Sequence, residues 1–597
     1  LKNGNDNSAG STEATAFETV HKAFENNSWS SGDTIKVKPS LDSDGSLIYY
    51  DFGGKEINLN TNKNFVLIST AGAATTIFDA EGNGRHFTFD NGQDRSTQIN
   101  GITFKNGKHD WGGGSIYFGG TDKIRFVNCV FDSNRVDKGN SDGTIDEGSG
   151  GAQGGAIYIS SGQPIFEGCT FNNNFAISQN SQGGAIYIGY PNSESNLKDT
   201  LIFKRTTFLN NYAKSRHSVY GGAIYTERNA YIVNSLFVNN GILGSVGDSQ
   251  SHDAHGGAIF SNPKFSTTGG KIVIVNSTFD KNYSSSNANN ANPTSAVLSY
   301  GIWDNQVKRK AYLFNIIITN SIILRNGEPY QNNDGKHDIF WAQDNNQLTI
   351  NYSNVEGSAT QSWSDDYVYD VNPVYKDIAN GDYSLSDKSP LIGAGVATWS
   401  DESLSAPTED ILANTRPNPS GSNPDMGAYE NSNSASTAPL PVSGLTVIRG
   451  TESSILSWSK NKESLSSSTD ADNIEYQIYQ NGTNVAQTTS TTYTVTGLSN
   501  GTTYSFTVSA KNTSTSVEGA QSGAKTVTPR YQGPKWHVAA SGGKSLSDTT
   551  TNYNLGSASS PINHLSNGIE IAADRDTIVM MKGTHTGSNN RGINFDG

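Results

Sequence analysis

One six-residue phrase, Gly154-Gly155-Ala156-Ile157-Tyr158-Ile159, returns along the chain and narrows the folds open to it. Gly113-Gly114-Ser115-Ile116-Tyr117-Phe118 precedes it; Gly183-Gly184-Ala185-Ile186-Tyr187-Ile188, Gly221-Gly222-Ala223-Ile224-Tyr225 and Gly256-Gly257-Ala258-Ile259-Phe260 follow. Each copy is answered by Phe-x-x-Asn, at Phe131 to Asn134, Phe171 to Asn174, Phe208 to Asn211, Phe237 to Asn240 and Phe279 to Asn282. A unit repeating every ~30–40 residues means a solenoid or a propeller, because each copy buries its apolar face only against its neighbours.

Within one unit, Gly154 to Gln182, the spacing predicts three short strands. They are Ala156–Ile159, Pro164–Glu167 and Cys169–Phe171, closed by a Ser/Asn/Gly loop. Three strands per turn, stacked in register, make a parallel β-helix rising ~4.8 Å per coil. Gly-Gly suits a tight corner with close backbone approach. The Asn of Phe-x-x-Asn suits the next corner, since Asn tolerates a left-handed backbone and bonds nearby main chain. Period-2 alternation turns Phe171 inward together with the residue two before it. Across the units that residue is Cys129, Cys169, Thr206, Ser235 and Ser277, always small. Both cysteines are therefore expected as buried members of this row, their parallel side chains poorly placed for a disulfide.

The length, 597 residues, calls for several domains. No 18-residue apolar window occurs, so no membrane-spanning helix is expected. With 42 Lys+Arg against 56 Asp+Glu, the net charge is −14. Without a basic run, that balance speaks against nucleic acid and anionic membranes as partners. Two cysteines leave no disulfide framework or cysteine-rich zinc site. Leu1-Lys2-Asn3-Gly4 carries no signal-peptide pattern, so a mature product or a piece of something longer is expected.

Ahead of the repeats, Phe17, Val20 and Phe24 form an apolar stripe that predicts a capping helix over 14–27, followed by a strand at Gly32-Asp33-Thr34-Ile35-Lys36-Val37. From 372 the sequence changes to Asn372-Pro373-Val374-Tyr375, Ser389-Pro390-Leu391-Ile392-Gly393-Ala394-Gly395 and Asp425-Met426-Gly427-Ala428-Tyr429-Glu430. This order resembles the closing segment of bacterial secreted right-handed β-helix repeat proteins of the choice-of-anchor type. The Gly-Gly-Ala-Ile and Phe-x-x-Asn pair resembles the repeats of chlamydial polymorphic outer-membrane proteins, which are adhesins. Those resemblances, over residues 14–430, imply the fold and leave the function open, since enzymes and adhesins share it. After a linker at 431–441, residues 442–529 resemble a fibronectin type III domain. Trp458 falls in an early strand, Ile474–Tyr479 in a middle one, and Leu498-Ser499-Asn500-Gly501-Thr502-Thr503-Tyr504 matches the tyrosine corner.

Residues 535–597 begin the pattern again. Ile562, Leu565 and Ile569 repeat Phe17, Val20 and Phe24, each 545 residues later, and Asp576-Thr577-Ile578 repeats Asp33-Thr34-Ile35 at 543. The expected class is all-β: a right-handed parallel β-helix over 1–430, a type III sandwich, and the start of a second, truncated β-helix.

Chemistry is sparse. His109-Asp110-Trp111 and His252-Asp253-Ala254-His255 sit just before Gly-Gly turns, where a polysaccharide lyase would need its base and neutraliser, but match no catalytic spacing. Asp42-Ser43-Asp44-Gly45 and Asn333-Asp334-Gly335 are fragments of calcium loops without the closing bidentate acid, so no cofactor is expected. Trp303, Trp341 and Trp363 are candidates for stacking on sugars. No catalytic or metal residue is assigned. The expected role is a non-catalytic structural or adhesive segment of a giant bacterial surface protein, extracellular and rod-like. Its expected partners are other copies or neighbouring repeats and a glycan or cell-surface ligand. The loops at 135–153, 189–200, 241–255 and 283–296 are the expected contact surfaces. The competing expectations are a polysaccharide lyase or hydrolase with a type III spacer, and a carbohydrate-binding array showing a row of exposed aromatics.

Overall fold

The computed structural model describes residues 5–591 apart from 26–28, 42–46, 49, 53–54, 60, 141–144, 146–149, 190–199, 245–253, 263–269, 286–294, 301–313, 325, 327–337, 343–347, 357, 359–366, 400–403, 437, 466–468, 551 and 574. The chain divides into two units. One comprises residues 1–370, 377–384 and 391–434, the other 371–376, 385–390 and 435–597.

The first unit is a parallel β-helix. Its coils stack into three long parallel sheets of ten, eleven and nine strands. The ten-stranded sheet opens at β1 (Asp33–Val37) and closes at Leu348–Asn351. Register follows the repeat: Ile116 pairs with Ile157, Ile157 with Ile186, Ile186 with Ile224 and Ile224 with Ile259. Phe131, Phe171, Phe208, Phe237 and Phe279 pile up at ring separations of 4.6–4.9 Å. Each is fully buried, which contributes roughly 1.5–3 kcal/mol per ring.

Three left-handed corners turn each coil, the second of them at Asn128, Gly168, Arg205, Asn234 and Asn276. The first glycine of each Gly-Gly pair has φ between +59° and +74°. The second has no such constraint but lies against the next coil: a Cβ on Gly222 would stand 2.0 Å from the Gly257 carbonyl oxygen. At the third corner the left-handed residue is the one before the predicted asparagine, namely Ser133, Asn173, Asn210, Asn239 and Lys281. The conserved position in the repeat is thereby released to point inward. Asn134, Asn174, Asn211, Asn240, Asn282 and Asn326 form a buried ladder. From Asn174 on, each side-chain oxygen accepts the backbone and side-chain N–H of the asparagine one coil earlier, as Asn211 does from Asn174 at 3.0 Å each, while Asn134 accepts the Gly107 N–H. Each amide nitrogen also donates to the carbonyl of the phenylalanine one coil back, Asn211 to Phe171 at 2.9 Å. The ladder satisfies backbone groups that the corner removes from the sheets.

The inward small residues behave as the alternation requires. Cys129, Cys169, Thr206, Ser235 and Ser277 are at most 1% exposed, and both cysteines are free thiols. Cys129 donates to the Ile99 carbonyl at 3.4 Å and Cys169 to that of Phe126 at 3.5 Å, while burial pushes the Cys169 thiol up.

The coils hold more strand than three per turn. Between residues 135 and 285 the loops of the repeat carry a five-stranded and a four-stranded parallel sheet, for example Phe175–Ser178 and Asn180–Gln182. The expected loop surfaces at 135–153, 241–255 and 283–296 thus contain ordered strands. Most of 189–200 lies outside the described residues. These stretches break their apolar residues with Gly, Ser, Asn and Asp, yet stacking buries Val136, Ala152 and Ala176, and Ala213, Val219, Ile242 and Ala254, as small side cores.

The helix expected over 14–27 is shorter. A 3₁₀ turn spans Glu13–Thr15 and α1 spans Val20–Glu25. Thr19 starts α1 by accepting the Lys22 N–H at 3.1 Å, while Asp6 accepts the Thr19 N–H and hydroxyl. That cap fixes the helix start at Val20 and leaves Phe17 outside it. Phe24 covers the end of the core, edge-on to Phe65 and Phe87 at 5.2 and 5.7 Å.

In the second unit, seven strands form a sandwich of three- and four-stranded antiparallel sheets between Thr446 and Val527. Trp458 follows the strand Ser453–Ser457 rather than lying within it, and packs edge-on to Tyr476 at 5.3 Å. The Tyr504 hydroxyl accepts the Ser499 N–H at 3.0 Å, closing the tyrosine corner. Beyond it, β2 (Lys535–Val538), α2 (Leu565–Ile571) and β3 (Thr577–Met580) assemble a small parallel layer in which β2 pairs with β3.

Candidate functional site

In every Gly-Gly-Ala-Ile-Tyr unit the isoleucine points into the core, so the next side chain must point out of the nine-stranded sheet. Coil stacking therefore lines up Tyr117, Tyr158, Tyr187, Tyr225 and Phe260 on the outer face, with neighbouring ring centroids 4.9–5.5 Å apart. The far end is closed: Tyr187, Tyr225 and Phe260 are buried. Tyr117 and Tyr158 are half-buried, and burial pushes the Tyr158 hydroxyl up to about 12.

The near end opens at Trp111, which is 41% exposed. Its ring stands edge-on to Tyr117, Tyr158 and His109 at 5.4, 5.1 and 5.5 Å. The Arg85 guanidinium lies 5.1 Å from the Trp111 ring and 5.0 Å from that of Tyr117, within cation–π range. Arg85 is fixed from below, donating to the Gly113 carbonyl at 2.8 Å and the Gly112 carbonyl at 2.6 Å, with Glu56 4.0 Å away. Burial lowers its pKa to about 10, so it stays charged at neutral pH. Burial and then the Arg85 charge push His109 down to about 4. His109 is thus neutral at physiological pH, and its Nδ1 accepts the Trp111 N–H at 3.4 Å.

This end offers an exposed indole backed by a fixed cation and a neutral imidazole. Such a surface stacks on the apolar face of a ligand and hydrogen-bonds at its rim. The guanidinium is committed to carbonyls, and the imidazole is held neutral beside it.

Of the second histidine group, His255 is buried in the four-stranded sheet, its ring stacked with Tyr220 and Phe260 at 6.2 and 6.3 Å; His252 and Asp253 lie outside the described residues. The two calcium-loop fragments, Trp303 and Trp363 also lie outside them, and Trp341 is placed only as part of the strand Asp338–Ala342. Among the described residues, no three His, Cys, Asp or Glu side chains are grouped to hold a metal ion. Arg85 and the tyrosine row escaped notice as a site. The signal was present, since the fifth residue of every Gly-Gly unit is aromatic.

Residues 440–522 match the family model of the fibronectin type III domain. A comparison with curated proteins gives no match to the chain.

Proposed function

We propose that this chain is a non-catalytic structural and adhesive segment of a long extracellular bacterial surface protein, in which β-helical rods alternate with type III domains. The observation that carries this reading is recurrence within the chain. The α1–β1 opening of the first unit returns as α2–β3 some 545 residues on, after the type III domain. Even the turn is repeated: Asp33 accepts the Ser30 N–H at 2.7 Å, and Asp576 accepts the Ala573 N–H at 2.9 Å. A unit that repeats whole is the mark of an array, and a coil stack with its backbone paired from turn to turn makes a stiff element for one. The bacterial surface is supported by the resemblance of the closing segment and of the repeats, and the filament by the array architecture. Electron microscopy of native material should show rods or filaments with an axial mark recurring once per β-helix plus type III domain. Isolated particles without a repeat would remove the proposal.

The adhesive part rests on the Trp111 end of the aromatic row, where an indole against that row is 41% exposed. Its ligand in this reading is a glycan, bound by stacking on the indole. Trp111→Ala is expected to weaken binding in a polysaccharide pull-down at least tenfold while costing about 1 kcal/mol of stability or less. Unchanged binding would exclude this contact.

A further inference from the structure

Among the described residues, strand β1 pairs on one side only, with Phe65–Ser69. The Val37 carbonyl accepts the Thr70 N–H, which fixes the alternation: Ile35 and Val37 bond toward the sheet, and the backbone groups of Thr34 and Lys36 face outward, while the Asp33 N–H turns back to the Ser30 carbonyl. They face an open groove of about 750 Å³ between β1 and α1, with Ala16, Val20, Ala23 and Trp29 in its walls.

The second opening shows what such a groove receives. By the same offsets Leu565 stands for Val20, Gly568 for Ala23, Thr577 for Thr34 and Val579 for Lys36. There β2 lies in the groove, parallel to β3: Thr577 N–H donates to the Pro534 carbonyl at 2.8 Å and Met581 N–H to that of Val538 at 2.9 Å. Trp536 is buried and donates its indole N–H to Asp576 at 2.7 Å. Asp576 corresponds to Asp33, which is exposed in the first unit. Val538 sits against α2 where Gly568 leaves room; a Cβ there would come within 2.8 Å of it.

We propose that the groove beside β1 is a strand-docking site for the segment that trails a type III domain, in the sequence of Pro534–Ala540. The segment adds parallel to β1 through the outward amides of Thr34 and Lys36, with its indole toward Asp33. This is β-augmentation, in which main-chain bonds give affinity and side-chain pockets give selectivity. The proposal deepens the reading of the chain as an array, for it makes the end of one repeat the first strand of the next. Because Ala23 places a methyl where Gly568 has none, the best occupant carries a residue smaller than valine at the Val538 position.

The test uses the full chain, whose own second groove is already filled, and a labelled peptide of residues 531–544, with a second peptide carrying Val538→Ala. Fluorescence anisotropy should show at least one of them binding with Kd below about 100 µM. Hydrogen exchange over residues 31–38 should slow on binding. Lys36→Pro removes an outward amide without breaking a bond to the sheet, a place where an edge strand accepts proline. It should weaken binding at least tenfold and leave thermal unfolding unchanged. No binding by either peptide, or slowed exchange only at 535–580, would overturn the proposal. If Lys36→Pro unfolds the unit, the exchange map of the unaltered chain decides alone. A periodic filament in the microscope together with a silent groove would sink the docking site and leave the array standing.

Discussion

Replacing Asn211 by alanine is expected to destabilise the β-helix by roughly 3–6 kcal/mol, more than most single truncations in its apolar core. The side chain makes four hydrogen bonds in a fully buried position. Two are donated, to Phe171 O and Asn240 Oδ1, and two accepted, from Asn174 N and Asn174 Nδ2. Alanine leaves the Phe171 carbonyl and the Asn174 amide buried without partners, and water has no entry to replace the lost groups. Each such orphan costs about 1–3 kcal/mol. Asn211→Asp should be no milder, since it keeps the acceptor but turns an oxygen toward Phe171 O and Asn240 Oδ1. Chemical denaturation measures the loss, and hydrogen exchange should quicken most at the Asn174 amide. A change below about 1 kcal/mol would mean that the ladder follows from the stacking rather than supporting it.

Arg416→Met is expected to cost about 3–5 kcal/mol and to free the closing segment for proteolysis. Arg416 and Glu430 are ion-paired at 2.7 Å with no exposed side-chain surface. The same guanidinium donates to Asn234 Oδ1 at 2.7 Å and to the Gly427 carbonyl at 3.1 Å, tying the segment to a coil 182 residues earlier. Glu430 also accepts the N–H of Asn418 and of Asp425. Removing the cation strands a buried carboxylate that cannot leave its amides. Beside it, burial and then the Glu430 charge push Asp425 up to about 7, against two backbone N–H groups that donate to its oxygens.

The sign follows from the direction of that shift. An acid whose folded pKa is raised holds its proton in the native state where the unfolded chain has released it. Its contribution to stability is complete below the unfolded value of 3.8 and disappears as pH rises through about 7. Calorimetry of the native chain should therefore show Tm falling between pH 5 and pH 8, with Asp425→Asn flattening that slope. Parallel profiles for the two proteins would refute the assignment.

The Gly-Gly-Ala-Ile-Tyr and Phe-x-x-Asn phrases made the coil, its register and its inward small residues legible, because a stack of identical turns repeats its side-chain environments as well as its backbone. Cys129 and Cys169 could be placed beside Thr206 and Ser235 for that reason alone. The asparagine lies one position past the corner that its tolerance of left-handed backbone suggests: Asn211 bonds inward and Asn210 takes the positive φ. Local propensity cannot distinguish those roles, since the ladder exists only when coils lie on one another. The capping helix was overextended because an apolar stripe at Phe17, Val20 and Phe24 is blind to the Thr19 cap.

The extra sheets through Phe175–Ser178 and Asn180–Gln182 have the same origin. Phe175 and Ile177 suit a strand, but nothing in Asn180-Ser181-Gln182 does until the coils above and below offer partners for its amides. The site followed this division too. His109 and Trp111 stood out in the sequence, but Arg85, 26 residues before Trp111, joins them only through the pairing of adjacent coils.

By itself, then, the order of residues determined that this chain coils, which side chains each coil turns inward, where a type III domain interrupts the pattern, and that the pattern starts again at residue 535. Those features depend on spacing within one unit, where hydrophobic period and corner chemistry act on neighbouring residues. Tertiary structure alone decided the asparagine ladder, the extra sheets, the Arg416–Glu430 anchor, the exposure of Trp111 beside the aromatic row and the outward edge of β1. Each of these depends on which groups the stacking brings together, as it brings Asn211 to Asn240 across 29 residues and Arg416 to Asn234 across 182, and on whether a buried polar atom finds its partner there.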